Sequence, residues 1–72
     1  MKRLTKEQIG KAMAKIERSP TLENAQAGAD LLGYPLQIDI DGLPLYRGVL
    51  YPDRDELIEE LLLDLGNKQR SI

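Results

Sequence analysis

The most constraining feature of the chain is a run of six residues, Leu36-Gln37-Ile38-Asp39-Ile40-Asp41, that alternates apolar and polar throughout. A period of two marks a strand with one face buried and one in water. Gly42 follows directly, and Asp-Gly beside an alternating segment is a strong hairpin signal. On both sides of this segment the apolar spacing changes to three and four, which is helical. The chain therefore combines a hairpin with helices that cover it, an α+β arrangement.

Taking Asp41-Gly42 as a two-residue loop sets the expected register. Ile40 then faces Leu43, Ile38 faces Leu45 and Leu36 faces Arg47 on the core side. Asp39 opposes Pro44, and Gln37 opposes Tyr46, on the outer side. Arg47-Gly48 reads as a bulge that switches the parity of Val49, Leu50 and Tyr51. Whether Val49 or Leu50 faces the core stays open. The hairpin spans about 36–51, with two open edges that invite pairing and Pro44 protecting one of them.

Three helices are expected around it. The first covers about 5–18. Thr5-Lys6-Glu7-Gln8 is a capping box, and Leu4 and Ile9 occupy the positions of a hydrophobic staple. Ile9, Ala12, Met13 and Ile16 follow at helical spacing, and Ser19-Pro20 ends the run. The second helix covers about 21–32, with Leu22, Ala25, Ala29 and Leu32 as its buried stripe. Gly28 costs ~1 kcal/mol inside a helix, which points to close packing there. Gly33 is a natural terminator, reinforced by Tyr34-Pro35. The third helix covers about 54–65, opened by a second capping box, Asp53-Arg54-Asp55-Glu56. Leu57, Ile58, Leu61, Leu62 and Leu65 form its broad apolar face, and Leu63 falls off it. Gly66-Asn67 should end it, leaving 67–72 as a frayed tail. The expected fold is one small α+β domain over 1–72, order α-α-β-β-α, with a two-stranded antiparallel hairpin packed on helices.

A domain of 72 residues buries only ~60% of its unfolded surface. The chain has no histidine, cysteine, tryptophan or phenylalanine, so neither a disulfide nor a soft-ligand metal site reinforces it. A regular core, a second copy or a host complex has to supply the rest. The same absences remove the usual catalytic bases and thiol nucleophiles. Carboxylate pairs on a helix or strand surface rarely make a dry, pKa-shifting site. The expectation is a non-enzymatic protein without cofactor or metal. No apolar run approaches the ~20 residues needed to cross a membrane. The basic segment Met1–Lys6 leads into an amphipathic stretch rather than a signal core. A cytoplasmic location is expected.

The net charge of −2 hides a bipolar layout. Residues 1–18 carry six basic and two acidic residues, whereas residues 37–64 carry eight acidic and two basic. Lys6, Lys11, Lys15 and Arg18, with Lys2 and Arg3 nearby, are the candidate phosphate contacts. A polar face that keeps the helix solvated is the simpler account of them. Without neighbouring aromatics, stacking on single strands is unsupported. Thr21-Leu22-Glu23 and Ala29–Tyr34 resemble the opening of a helix-turn-helix, but a strand stands where the recognition helix belongs. Ile38–Gly42 resembles part of a calcium loop. With Gly42 at its sixth position, Gln37 and Gly48 occupy the first and twelfth, so both end ligands are missing.

The stretch Leu36–Leu65, a hairpin followed by a capped helix, loosely resembles the second half of a small phage head-completion protein. The second helix and the acidic surface depart from that pattern, and no functional residue carries over from it. The exposed apolar residues are more telling. Tyr46 is expected on the outer hairpin face, joined by Leu50 or Tyr51 according to the bulge. Tyrosine is enriched at binding hot spots. The resulting expectation is a small protein-binding module, an inhibitor, adaptor or accessory subunit of phage or mobile-element type, that covers a partner's surface. Tyr46, Leu50 and Tyr51 would anchor it, while Asp39, Asp55 and Glu59 would steer a basic partner. A homodimer falls under the same reading, and nucleic-acid contact or structural assembly through the basic first helix is the alternative.

Overall fold

The computed structural model describes residues 4–72. Lys2 and Arg3 therefore lie outside the described residues. The element order is α1 (Lys6–Arg18), α2 (Leu22–Leu32), β1 (Gln37–Ile38), β2 (Pro44–Tyr46), β3 (Val49–Leu50) and α3 (Arg54–Ser71). Three helices pack pairwise into one layer, and a three-stranded antiparallel sheet of order β1-β2-β3 lies against it. The α+β class is as expected, with a third strand added. No helix among the described residues is long and apolar enough to cross a membrane.

The helical starts follow local chemistry. Thr5 and Gln8 form the reciprocal capping box, with bonds of 2.9 and 3.1 Å. Thr21 caps α2 by accepting the Asn24 N–H at 3.1 Å. Asp53 caps α3 by accepting the Asp55 N–H at 2.9 Å. That bond spans two residues, an Asx-type cap rather than the expected box over three. Gly33, at φ +84°, ends α2 in the left-handed conformation, and the N–H groups of Gly33 and Tyr34 close onto its last carbonyls.

The core joins Ile9 and Ile16 of α1, Ala25 and Ala29 of α2, and Leu57, Ile58, Leu61 and Leu65 of α3 to Leu36 and Tyr46. Gly28 supplies the close approach anticipated for it. A Cβ there would stand 2.9 Å from Ile16 Cδ1 and 3.3 Å from Leu65 Cδ1. Leu22, expected in the buried stripe, is exposed instead at the first turn of α2, and Gly28 takes its place on the packed face.

The third helix runs past its expected stop at Gly66-Asn67 and continues to Ser71. A tertiary contact overrides the local terminator. The Gln69 amide donates to the Lys6 carbonyl at 3.0 Å, tying the last turns of α3 to the start of α1. Gly10 makes room for it, since a Cβ there would sit 3.2 Å from Gln69 Nε2. Lys68 and Arg70 place positive charge in the last turn, where the helix dipole favours it.

The sheet departs most from expectation. Gln37 pairs with Leu45 and Ile38 with Pro44, one residue away from the register set by a two-residue loop. The loop has three residues, Ile40-Asp41-Gly42. The Asp39 carboxylate accepts the N–H groups of Asp41 at 3.0 Å and Leu43 at 2.8 Å. Asp39 N–H donates to the Leu43 carbonyl at 2.9 Å, and Gly42 provides the left-handed residue at φ +81°. Side-chain capture of the turn by Asp39 thus decides the register. A shift of one residue exchanges the two faces. Tyr46, expected outside, is 1% exposed.

Arg47-Gly48 is a turn rather than a bulge. Both residues have positive φ, +52° and +80°, the pattern of a two-residue I′ hairpin. The chain reverses there, so β3 pairs with β2 through Leu45–Leu50 and Tyr46–Val49. Pro44, expected on an edge, opens the central strand. A strand's first residue is one of the few sheet positions proline tolerates.

Candidate functional site

The pairing register divides the sheet into two faces. Cross-strand partners point the same way, so Leu36, Ile38, Pro44, Tyr46, Val49 and Tyr51 share the helix side. Gln37, Asp39, Leu43, Leu45 and Leu50 share the opposite side. On the helix side, Leu36, Pro44 and Tyr46 are buried and Tyr51 is half-buried against the core. Ile38 and Val49 stand at the two edges, beyond the reach of the helices, and are exposed. On the outer side, Leu43 and Leu45 are half-buried, and Leu50 is exposed. Ile40, at the tip of the first turn, is 100% exposed.

Tyr46 anchors the sheet to α3. Its hydroxyl donates to Asp64 Oδ2 at 2.6 Å. Its ring lies 6.4 Å from that of Tyr51, tilted by 48°. Burial, then the hydrogen bond and negative charge of Asp64, push the Tyr46 hydroxyl well above the ordinary tyrosine range. Tyr51 moves the same way, through burial first and the Glu60 carboxylate second. Arg47 completes the joint. Its Nη1 is 3.5 Å from the same Asp64 oxygen, and its Cζ lies 4.6 Å from the centre of the Tyr34 ring. The guanidinium thus bridges the α2–β1 connection to α3. These contacts help hold Arg47 at its positive φ, a conformation disfavoured for side chains other than glycine, asparagine and aspartate.

Beside this joint the outer face dips. Tyr34 and Pro35 on one side and Arg47 and Gly48 on the other enclose a hollow of about 230 Å³ that Leu45 and Gln37 also line. The opposite end of the sheet, where the chain crosses to α3, carries acidic residues. Tyr51 N–H donates to the Pro44 carbonyl at 3.0 Å, which brings the start of α3 beside the first turn. Asp39 and Asp41 therefore share one end of the sheet with Asp53 and Asp55. Among the described residues no three carboxylates converge as a metal site would require.

The residues expected to meet a partner are distributed unequally. Leu50 is free on the outer face. Tyr46 belongs to the core, which corrects its expected position. Tyr51 faces the helices. Asp39 is half-buried and committed to its turn. Asp55 and Glu59 are exposed on α3. Lys6, Lys11, Lys15 and Arg18 are all exposed on α1, with Lys11 paired to Glu7 at 3.5 Å. Ile40, Leu43 and Leu45 join Leu50 as candidates that the expected register had pointed inward. Asp39 carried the signal for this, because an aspartate before a glycine-containing turn can capture the turn itself. No family model, curated protein or solved structure matches the chain.

Proposed function

We propose that this chain is a small, non-enzymatic protein-binding module that acts by covering part of a partner's surface, as an inhibitor, adaptor or accessory subunit. The supporting observation is the concentration of uncovered aliphatics on the sheet. Ile38, Ile40, Val49 and Leu50 are four of the eight large hydrophobics exposed among the described residues, and they fall within thirteen consecutive positions. Scattered exposed leucines are ordinary. Here the exposed aliphatics ring a small sheet, with Ile38 and Val49 at its edges, Ile40 at the first turn and Leu50 on the outer face beside the half-buried Leu43 and Leu45, and apolar surface concentrated in this way supports an interaction site. The three helices, over forty-two residues, leave only Leu22 and Leu63 as exposed large hydrophobics, so the surplus is concentrated on the sheet. A cytoplasmic partner suits a chain without cysteine.

A tagged pull-down from source or host lysate, followed by reconstitution with the purified candidate, tests this. Leu50→Asp is the variant of choice, since Tyr46→Ala would damage the core. A stoichiometric protein lost with Leu50→Asp supports the module. Retention of that protein by Leu50→Asp, or capture of nuclease-sensitive material alone, overturns it. Loss of the nuclease-sensitive material with Lys11→Glu and Lys15→Glu would favour the competing proposal, nucleic-acid contact through α1.

A further inference from the structure

Resting on that reading, we infer that the partner presents a cationic amphipathic α-helix, which lies across the outer face of the sheet. Three features of the face select this occupant.

The first is shape. Neighbouring strands are ~4.8 Å apart, so the two outer strands of this sheet are separated by ~10 Å. One α-helix is about 10 Å across with its side chains and spans such a face. Strand addition is a poorer fit. β1 and β3 have two residues each. Asp39 N–H and Tyr51 N–H both turn inward, to Leu43 and Pro44. The alternation of an antiparallel ladder then leaves one outward-facing backbone residue on each edge strand, Ile38 and Leu50. One such residue is too little to hold an added strand.

The second is the distribution of apolar surface. Leu43, Leu45 and Leu50 form a short central strip, and the hollow between Pro35 and Arg47 lies at one end of it. A helix brings side chains at i, i+3 or i+4, and i+7 to one face. That spacing lets two aliphatics cover the leucines while a third enters the hollow.

The third is charge. Asp41 in the first turn and Asp53 at the cap of α3 stand toward the far end of the sheet, and Asp55 follows in the first turn of α3, all exposed. Arg47 at the near end is already paired with Asp64. A second copy of this chain is therefore a poor occupant. Laid face to face, it would offer one committed guanidinium to several carboxylates. Its basic α1 would offer Lys6, Lys11, Lys15 and Arg18, but no exposed large aliphatic from the described part of that helix. A different protein, bearing Lys or Arg beside its aliphatic stripe, satisfies both requirements.

The test is selection of random 16-residue peptides displayed on phage against the full chain, with the winners synthesised and titrated by fluorescence anisotropy. The expected winners carry aliphatics at helical spacing and a net positive charge, and gain helical circular dichroism on binding. Leu50→Asp should weaken them by at least about tenfold, ~1.4 kcal/mol. Leu63→Asp, at a leucine on α3 that is more exposed than Leu50, should leave them unchanged. Winners without helical spacing or with negative charge overturn the inference. So does a failure to enrich over Leu50→Asp, or equal sensitivity to Leu63→Asp. A concentration-dependent dimer abolished by Leu50→Asp overturns it in favour of a second copy. If the pull-down yields a Leu50-dependent protein while the peptides fail, the helix is wrong and the binding module stands. If both fail, the module falls as well.

Discussion

In the helical layer, Ile9, Ile16, Leu57, Leu61 and Leu65 are completely buried, whereas the sheet contributes Leu36, Pro44 and Tyr46 to the interior and leaves its other aliphatics half-buried or exposed. The two regions are consequently held by different means. The helices are fastened by aliphatic packing, reinforced at Gly28 where two elements touch the α2 backbone. The sheet is fastened by a short apolar row, Leu36, Pro44 and Tyr46, and by the Tyr46–Asp64–Arg47 joint. Packing spread over many side chains gives a stiff platform. A few directional contacts hold the sheet in place while Ile38, Ile40, Val49 and Leu50 remain exposed.

This contrast breaks most readily in the helices. Leu61→Ala removes a fully buried side chain from the centre of the layer and should cost about 2–5 kcal/mol, a large share of the stability of a domain this size. Urea unfolding followed by circular dichroism measures it. A loss below about 1 kcal/mol would mean the layer repacks freely.

Tyr46→Phe probes the fastening of the sheet. It deletes the hydroxyl bound to Asp64 and should cost about 1–2 kcal/mol. It should also change the alkaline response. The folded-state pKa of Tyr46 is raised, so the folded chain keeps its proton where an unfolded tyrosine, with a pKa near ~10, gives it up. The stabilisation is fully present below pH ~10 and is lost as pH rises from there through the raised folded value. The variant should lose stability less steeply above pH ~10, with Tyr51 supplying the remaining slope. An unchanged slope would remove Tyr46 as its source.

Gly42→Ala sharpens the comparison at the first turn. Nothing lies within 4 Å of the added methyl group, and φ is +81°, so the cost is conformational, ~1 kcal/mol. A neutral result would show that the turn tolerates another geometry and that Asp39 alone sets the register. At the small end, Ile40→Ser removes a wholly exposed side chain and should change stability by less than about 0.5 kcal/mol. A larger loss would show that the hairpin tip packs against the molecule.

The bias of Asp41-Gly42 toward a two-residue loop and the reading of Arg47-Gly48 as a bulge both pointed away from the turns that form. Asp39 and Gly42 instead close a three-residue loop, while Arg47 is held by Tyr34 and Asp64, residues remote from it in sequence. The end of α3 repeats the lesson, since Gln69 reaches Lys6 across sixty-three positions and carries the helix past Gly66.

The sequence by itself determined the three helices, their starts, the end of α2, the tight approach at Gly28 and the α+β class. Capping, glycine termination and apolar period act within a few residues, so they are written locally. Only the tertiary structure decided the third strand, the register, the burial of Tyr46 and hence which leucines face water. In a sheet of two- and three-residue strands, the period of two is too short to choose between adjacent registers. That choice passes to the turn that Asp39 captures and to Tyr46, which meets its partner carboxylate only once α3 has packed.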